Sequence, residues 1–159
     1  MDDDWVPVRA AAQTALDDLD EVMAVITREI RERVPGYASV TDEQLRSAST
    51  RNIRAILHAL RDRRRLPPAE LREFESTVEA RARSGVPLDE YLLAVATAEA
   101  TMWDLLWQRA AEVQEARRVE AFAIRFANMN AITRTTAAAH RRIEIVGARE
   151  DQERRAFAL

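Results

Sequence analysis

Polar side chains interrupt the apolar stripes of two predicted helices, and these are the residues that could do chemistry in this chain. Glu99 projects from the middle of an apolar stripe that ends at two tryptophans, and Asn130, Thr133 and His140 lie on the stripe of the last helix. A polar group buried without a partner costs roughly 1 to 3 kcal/mol, and a buried charge costs more. We therefore expect these four groups to contact one another, to pair with an arginine, or to line a cavity.

Two interpretations of these groups remain open. In the first, they form a structural network in which Glu99 pairs with Arg51 or Arg54 of the second helix. In the second, they line an internal effector pocket, because ligand sites in helical bundles combine an apolar wall with a few polar groups. The candidate ligand-binding residues of that pocket are Glu99, Trp103, Trp107, Phe126, Asn130, Thr133 and His140.

Catalytic and metal-binding motifs are absent from the sequence. It contains no cysteine, no HExxH, no GxSxG and no glycine-rich phosphate loop. The two histidines, His58 and His140, lie on different predicted helices, although a haem would need only one of them as its proximal ligand. We expect no enzymatic activity, no metal site and no cofactor, haem included.

The stretch from Ser84 to Trp107 organises the predicted fold. Gly85 can adopt a positive φ at the end of one helix, and Pro87 suits the first turn of the next. The apolar residues that follow recur at helical spacing and form a wide stripe. These residues are Leu88, Leu92, Val95, Met102, Trp103 and Leu106, with Tyr91 and Trp107 at the edges. We expect the other helices to pack around this one.

Helical periodicity extends over most of the remaining chain. Thr41 and Gln44 form the pattern of a capping box before the second helix. The last helix follows a short link near residues 111–114, and its predicted core stripe is Val119, Phe122, Phe126, Asn130, Thr133, Ala137 and His140. Predicted helices cover residues 8–34, 42–62, 68–84, 87–107, and 115–146 and beyond. The sequence thus predicts an all-α, single-domain bundle of about five helices with a long C-terminal helix, with a globin-like arrangement as one option.

Composition and charge exclude several classes of function. The 159 residues include 24 basic side chains, all arginine, and 27 acidic ones, so the net charge is −3. Nothing in that balance predicts a nucleic-acid surface, and favourable charge at a helix C-terminus explains the one dense basic run, 61–65. The longest uncharged apolar run, 91–98, is far shorter than the roughly 20 residues of a membrane span. We expect a cytoplasmic protein that contacts neither a membrane nor, through this chain, nucleic acid.

The last helix predicts an assembly and a further domain. Ala137, His140, Glu144 and Ile145 lie beyond the length of the other helices and place apolar residues on more than one face. We therefore predict a homodimer through this helix, since symmetric pairing of two copies is the commonest oligomer. We assign residues 1–147 to a helical sensor domain. We assign residues 148–159, which turn apolar at their end, to the start of a linker helix that leads into another, C-terminal domain.

Three segments resemble a known family. They are IRERVPGYA at 30–38, RNI at 51–53, and ARARSGVPL at 80–88, with Trp103 one helix later. Together they resemble the RsbRD-type N-terminal domain, which heads many actinobacterial PucR/CdaR-type transcriptional regulators. The resemblance implies a non-catalytic signal-input and dimerisation domain that couples the sensing of a small-molecule effector or a partner to a C-terminal DNA-binding module. As an alternative, it implies a stressosome-type, RsbR-like interaction module that precedes a STAS domain.

The chain departs from the family pattern at two positions. Ala96 stands where the resemblance implies a larger and often basic residue, and Glu99 stands where it implies a small one. We therefore expect the buried polar chemistry around Glu99 to be particular to this member of the family.

Overall fold

The computed structural model describes residues 3–110 and 112–158, and this part of the chain is built from α-helices joined by short turns. The helices are α1 Val6–Asp17, α2 Leu19–Arg33, α3 Asp42–Arg61, α4 Pro68–Arg83, α5 Leu88–Arg109 and α6 Glu115–Phe157. Two 3-10 turns, Asp3–Trp5 and Pro35–Tyr37, precede α1 and α3. The prediction of an all-α single domain with a long C-terminal helix is confirmed. Ala111, where the predicted link to α6 begins, and Leu159 lie outside the described residues.

The first predicted helix is in fact two helices. The prediction of one helix over residues 8–34 is wrong, because the backbone leaves the helical conformation at Asp18, with φ −98° and ψ 26°. Aspartate is a weak helix former, and here its carboxylate accepts a hydrogen bond of 3.0 Å from Arg109 of α5. Such a tertiary contact leaves no mark on local periodicity. The described chain therefore has six α-helices, where about five were predicted.

Local turn signals set two helix boundaries as predicted. Thr41 Oγ1 accepts a hydrogen bond from the Gln44 backbone N–H at 3.2 Å, and Gln44 Oε1 accepts one from the Thr41 N–H at 3.1 Å. This completes the capping box at the start of α3. Gly85 has a φ of 81°, which ends the α4 segment and lets α5 begin at Leu88.

The helix α5 occupies the centre of the bundle, as predicted, and contacts each of the other five α-helices. Around it, α2 packs along α5, α1 along α3, and α4 along α6. The buried face of α5 differs from the predicted stripe, because Tyr91, Ala94 and Ala98 are buried while Leu88 and Trp103 are only half-buried.

The predicted core stripe of α6 is wrong over its first five residues, which are exposed, whereas Ala137 is half-buried and His140 is buried as predicted. Val119, Phe122 and Phe126 are 64%, 53% and 60% exposed. The face that enters the bundle carries smaller or polar residues, namely Ala121, Asn128, Ile132, Thr136, Ala139 and His140. Helix α6 thus has apolar residues on two faces, and helical spacing alone cannot say which of them meets the core.

The C-terminal part of α6 projects away from the bundle. Every residue from Glu144 to Ala158 is exposed in the described structure. The helix continues through Gly147, the residue at which the sequence suggested a boundary between 1–147 and 148–159. The assignment of 148–159 to a linker helix stays a prediction.

Candidate functional site

Glu99 is buried at the centre of the bundle, where it pairs with Arg125 of α6. Only 4% of Glu99 is exposed. Arg125 Nε donates a hydrogen bond to Glu99 Oε1, and Arg125 Nη2 donates one to Glu99 Oε2 at 2.7 Å. This is the bidentate geometry of strong arginine–carboxylate pairs. The guanidinium carbon also lies 4.8 Å from the centre of the Trp103 ring. The pair therefore joins α5 to α6 and satisfies both oxygens of the buried carboxylate.

The predicted partners of Glu99 were wrong. Arg51 Nε lies 3.6 Å from Glu73 Oε2 in a half-exposed pair, and Arg54 is exposed. Both arginines lie on the outer side of α3, because the inner side is taken by residues that include Ile53 and Ile56. The arginine that pairs with Glu99 comes instead from α6, 26 residues further along the chain.

Trp103 and Trp107 lie half-buried on α5 and contact each other. Their ring centres are 5.0 Å apart and the planes make an angle of 82°, which is the edge-to-face arrangement. Arg118 of α6 lies over the Trp107 ring at 5.6 Å, just as Arg125 lies over Trp103. Two cation–π contacts thus hold the N-terminal half of α6 against α5.

Only some of the other predicted pocket residues border a space next to Glu99. Asn130 and Thr133 are exposed on α6. His140 is 5% exposed, and its Nδ1 lies 3.5 Å from Glu144 Oε1 without making a hydrogen bond. Trp103 shares with Glu99 a cavity of only about 10 Å³. Phe126 shares with Glu99 an outward-facing groove between α5 and α6. Trp103 and Phe126 thus border spaces that Glu99 also borders, whereas Trp107, Asn130, Thr133 and His140 line neither of these two spaces.

A larger cavity of about 40 Å³ lies between α3, α4 and α5. Its wall is mostly apolar, and Glu99 lines it at one end. Three of its polar side chains have a buried atom with no hydrogen-bond partner among the described residues. These atoms are Asn52 Oδ1, Arg81 Nε and Tyr91 OH. Because buried polar atoms are nearly always paired in folded proteins, three such atoms in one cavity wall leave hydrogen-bonding capacity for a ligand or for water.

Arg81 is the charged member of this cavity wall. It is 5% exposed, and its Nη2 donates a hydrogen bond of 3.0 Å to the backbone carbonyl of Gln44. Its guanidinium carbon lies 5.9 Å from the centre of the Tyr37 ring. Within the described ranges, no carboxylate makes an ion pair with Arg81. A guanidinium in an apolar wall without a counter-charge is costly, so this position favours an anion.

Two tyrosines near Arg81 are neutral at physiological pH. Burial raises the pKa of Tyr37 from 10.0 to about 12, and the charge of Arg81, together with its side-chain hydrogen bond to the phenol, offsets only part of that shift. Burial also raises the pKa of Tyr91, whose ring is 1% exposed. Neither phenol therefore supplies a negative charge to the guanidinium.

Asn52, Arg81 and Tyr91 were missed as site residues, although the sequence carried a signal for two of them. Arg81 follows Phe74 and Val78 at the helical spacing that marks the buried stripe of α4, as Glu99 does on α5. Asn52 follows Leu45 by seven residues on the buried face of α3. Each of the three segments that carry the family resemblance contributes a residue to the cavity wall, since Tyr37 belongs to the first of them.

Metal sites and membrane spans are two further kinds of feature that the described residues lack. Among residues 3–110 and 112–158, no group of three or more His, Asp or Glu side chains is placed to hold a metal ion. No described helix is both long enough and apolar enough to cross a membrane.

Comparison with known proteins identifies the class of the fold and site. The model of one protein family, described as the RsbT co-antagonist protein rsbRD N-terminal domain, matches residues 20–155. No curated protein and no solved structure matches the chain. Since the family model covers most of the sequence, the chain belongs to the rsbRD N-terminal domain family, as the sequence resemblance predicted. This is a family of regulatory signal-input domains.

Proposed function

We propose that this chain is the non-catalytic signal-input and dimerisation domain of a cytoplasmic PucR-type transcriptional regulator. The helical body senses an effector or a partner, and α6 passes the response to a C-terminal DNA-binding module. The observation that carries this proposal is the buried pair of Glu99 and Arg125. Glu99 belongs to the wall of the partly open cavity between α3, α4 and α5, and Arg125 belongs to the helix that leaves the bundle.

The geometry of α6 suits transmission. The segment after Ile143 extends 14 residues to Phe157, which is about 21 Å at 1.5 Å per residue. A small shift of α6 at Arg125 would move this whole segment, because a continuous helix translates and rotates as one element. Residues 148–159 are then the start of the linker that we assigned from the sequence.

An outward apolar surface supports dimerisation through α6. We define the α6 stripe as Val119, Phe122 and Phe126, all more than half exposed. Leu93 of α5, 45% exposed, adds a further apolar side chain on the neighbouring helix. Large exposed apolar side chains grouped on one face mark an interaction surface, and a second copy of the same helix pair offers a matching one. The sequence placed the dimer contact around His140, which is buried. We therefore propose that the contact lies in the N-terminal half of α6.

The dimer is tested by sedimentation equilibrium of wild type, Phe126→Ser and Phe157→Ser. We expect a wild-type dimer at tens of micromolar, and a dimer at least tenfold weaker for Phe126→Ser, since a large apolar side chain at an interface centre contributes more than about 1.4 kcal/mol. Phe157→Ser is the matched control, because Phe157 is 91% exposed on the same helix but outside the stripe. A monomeric wild type, or equal weakening by both variants, would contradict the proposed surface.

A second candidate function is a stressosome-type, RsbR-like interaction module that precedes a STAS domain. The description of the matching family as an RsbT co-antagonist favours this candidate. The coding sequence that follows codon 159 distinguishes the two. A helix-turn-helix there supports the regulator, a STAS domain supports the stressosome module, and a stop codon contradicts both.

The proposed role leaves DNA binding to another module. Three arginines of the basic run 61–65 are held in internal pairs: Arg61 with Asp62, Arg63 with Glu120, and Arg64 with Glu70. We expect this chain to bind DNA only weakly and to lose that binding with added salt. Specific, salt-resistant retardation of a promoter fragment by the isolated chain would contradict the proposal.

A further inference from the structure

The partly open cavity between α3, α4 and α5 has the chemistry of an anion site. Its wall holds a buried guanidinium, a buried phenol and a buried amide, each with an unpartnered atom. We infer that this cavity binds a small oxyanion or carboxylate of three or four non-hydrogen atoms between Arg81, Tyr91 and Asn52. The inference deepens the proposed function. The claim that this anion acts as a signal rests on that proposed function.

The charge of the site points to an anion. Arg81 is the one charged group of the cavity wall that lacks a partner of opposite charge in the described structure. Glu99 also lines the cavity, but Arg125 occupies both of its oxygens. Glu90 does not line it, and its Oε2 accepts a hydrogen bond of 3.1 Å from the Gly36 backbone N–H. An anion would therefore meet an uncompensated positive charge in an apolar wall, where charge pairing is strong.

The hydrogen-bonding groups fit the same class of ligand. Arg81 Nε–H and the Tyr91 hydroxyl are both donors that an oxyanion can accept from. The unpartnered atom of Asn52 is its Oδ1, which is an acceptor and cannot bond to a deprotonated oxyanion. Asn52 contributes a hydrogen bond only with its amide rotated by half a turn, so that its nitrogen donates. The ligand would thereby satisfy Arg81 Nε and the Tyr91 hydroxyl, which are the two unpartnered donors of the wall.

The size of the cavity limits the ligand. A single water molecule needs about 10 to 15 Å³ of such volume, so a cavity of about 40 Å³ holds about three water-sized groups. Nitrate, formate and acetate are of that size, whereas a nucleotide or a porphyrin is far larger.

The experiment is a thermal-unfolding titration of the chain with sodium nitrate, sodium formate and sodium acetate. Sodium chloride at the same ionic strength is the reference. We expect at least one of the three anions to raise the unfolding midpoint of the wild type by a few degrees and to saturate. A response to nitrate alone identifies an inorganic oxyanion as the ligand, and a response to formate or acetate identifies a carboxylate.

Three variants assign the effect to the cavity. Tyr91→Phe removes an unpartnered hydroxyl, so the midpoint without ligand should stay or rise while half-saturation moves to at least tenfold higher anion concentration. Arg81→Met should abolish the response. Arg83→Gln is the matched control on the same helix, because Arg83 is two-thirds exposed, and it should respond as the wild type does.

Several outcomes would overturn the inference. They are no saturable rise with any of the three anions, an equal rise with chloride, and an equal loss of response in Arg83→Gln. None of them alters the result expected from the sedimentation of Phe126→Ser. A failure of the anion site and a failure of the proposed dimerising input domain are therefore distinguishable.

Discussion

Glu99 and Arg81 are two charged residues in the wall of one cavity, and they differ in how their charge is compensated. Glu99 has a bidentate partner in Arg125. Arg81 has a backbone carbonyl, the ring of Tyr37 and a polar interaction with the Tyr37 hydroxyl, but no ion pair with a carboxylate in the part of the chain that the structure describes. The fold completes the first site from its own residues and leaves the second open. Burial of a charge alone thus does not distinguish a structural residue from a binding residue; the partner does.

The largest effect on stability should come from breaking the completed pair. Arg125→Met leaves the Glu99 carboxylate buried without a counter-charge, which costs about 3 kcal/mol of the free energy of unfolding. For a chain of this length, that corresponds to a melting temperature lower by roughly 6 to 12 °C. Urea unfolding and calorimetry measure both quantities.

Two further variants sharpen this prediction. Replacing both partners in Glu99→Leu/Arg125→Met should restore most of the loss, because an apolar pair needs no counter-charge. Arg51→Met removes the exposed pair with Glu73 and should change the free energy of unfolding by less than about 1 kcal/mol. A double variant as unstable as Arg125→Met would mean that the loss comes from packing and not from charge.

Ionisation of Tyr37 should lower the free energy of unfolding at alkaline pH by an intermediate amount. Below pH 10 this phenol is protonated in both the folded and the unfolded chain, so it adds no pH dependence. Between about pH 10 and pH 12 the unfolded chain loses the proton while the folded chain keeps it, so stability falls as the pH rises. The full loss is about 2 to 3 kcal/mol at 1.36 kcal/mol per pKa unit.

Tyr37→Phe tests this dependence. The variant lacks the titrating group, so its free energy of unfolding should fall less steeply than that of the wild type above pH 10. Urea unfolding curves at a series of alkaline pH values provide the measurement. Parallel pH profiles of the two proteins would show that Tyr37 ionises at its ordinary pKa in the folded chain.

The sequence predicted most of the helices because their signals are local. The capping box of Thr41 and Gln44 and the positive φ of Gly85 need only neighbouring residues, and both are confirmed. The break at Asp18 was missed because it coincides with a contact to Arg109, which is distant in the sequence. Local patterns therefore indicate where helices lie better than where a tertiary contact interrupts them.

The candidate site was only partly predictable, for a related reason. Glu99 was singled out because it interrupts an apolar stripe, and it is indeed buried. The predicted partner of Glu99 was wrong because α6 carries apolar residues on two faces. Helical spacing therefore pointed Phe126 into the core and did not show that Arg125 faces Glu99. Arg81 satisfied the same criterion on α4 and was overlooked there. A charged residue within an apolar stripe thus indicates a buried charge on α4 as well as on α5.

The most direct test of the contrast between the completed and the open site compares Arg81→Met with Arg125→Met by urea unfolding in a chloride buffer. We expect Arg125→Met to lose about 3 kcal/mol of the free energy of unfolding. Arg81→Met should stay within about 1 kcal/mol of the wild type, because removing an uncompensated buried charge offsets the lost hydrogen bond to Gln44. An equal loss in both variants would contradict the contrast, since it would mean that the charge of Arg81 is already compensated within the fold.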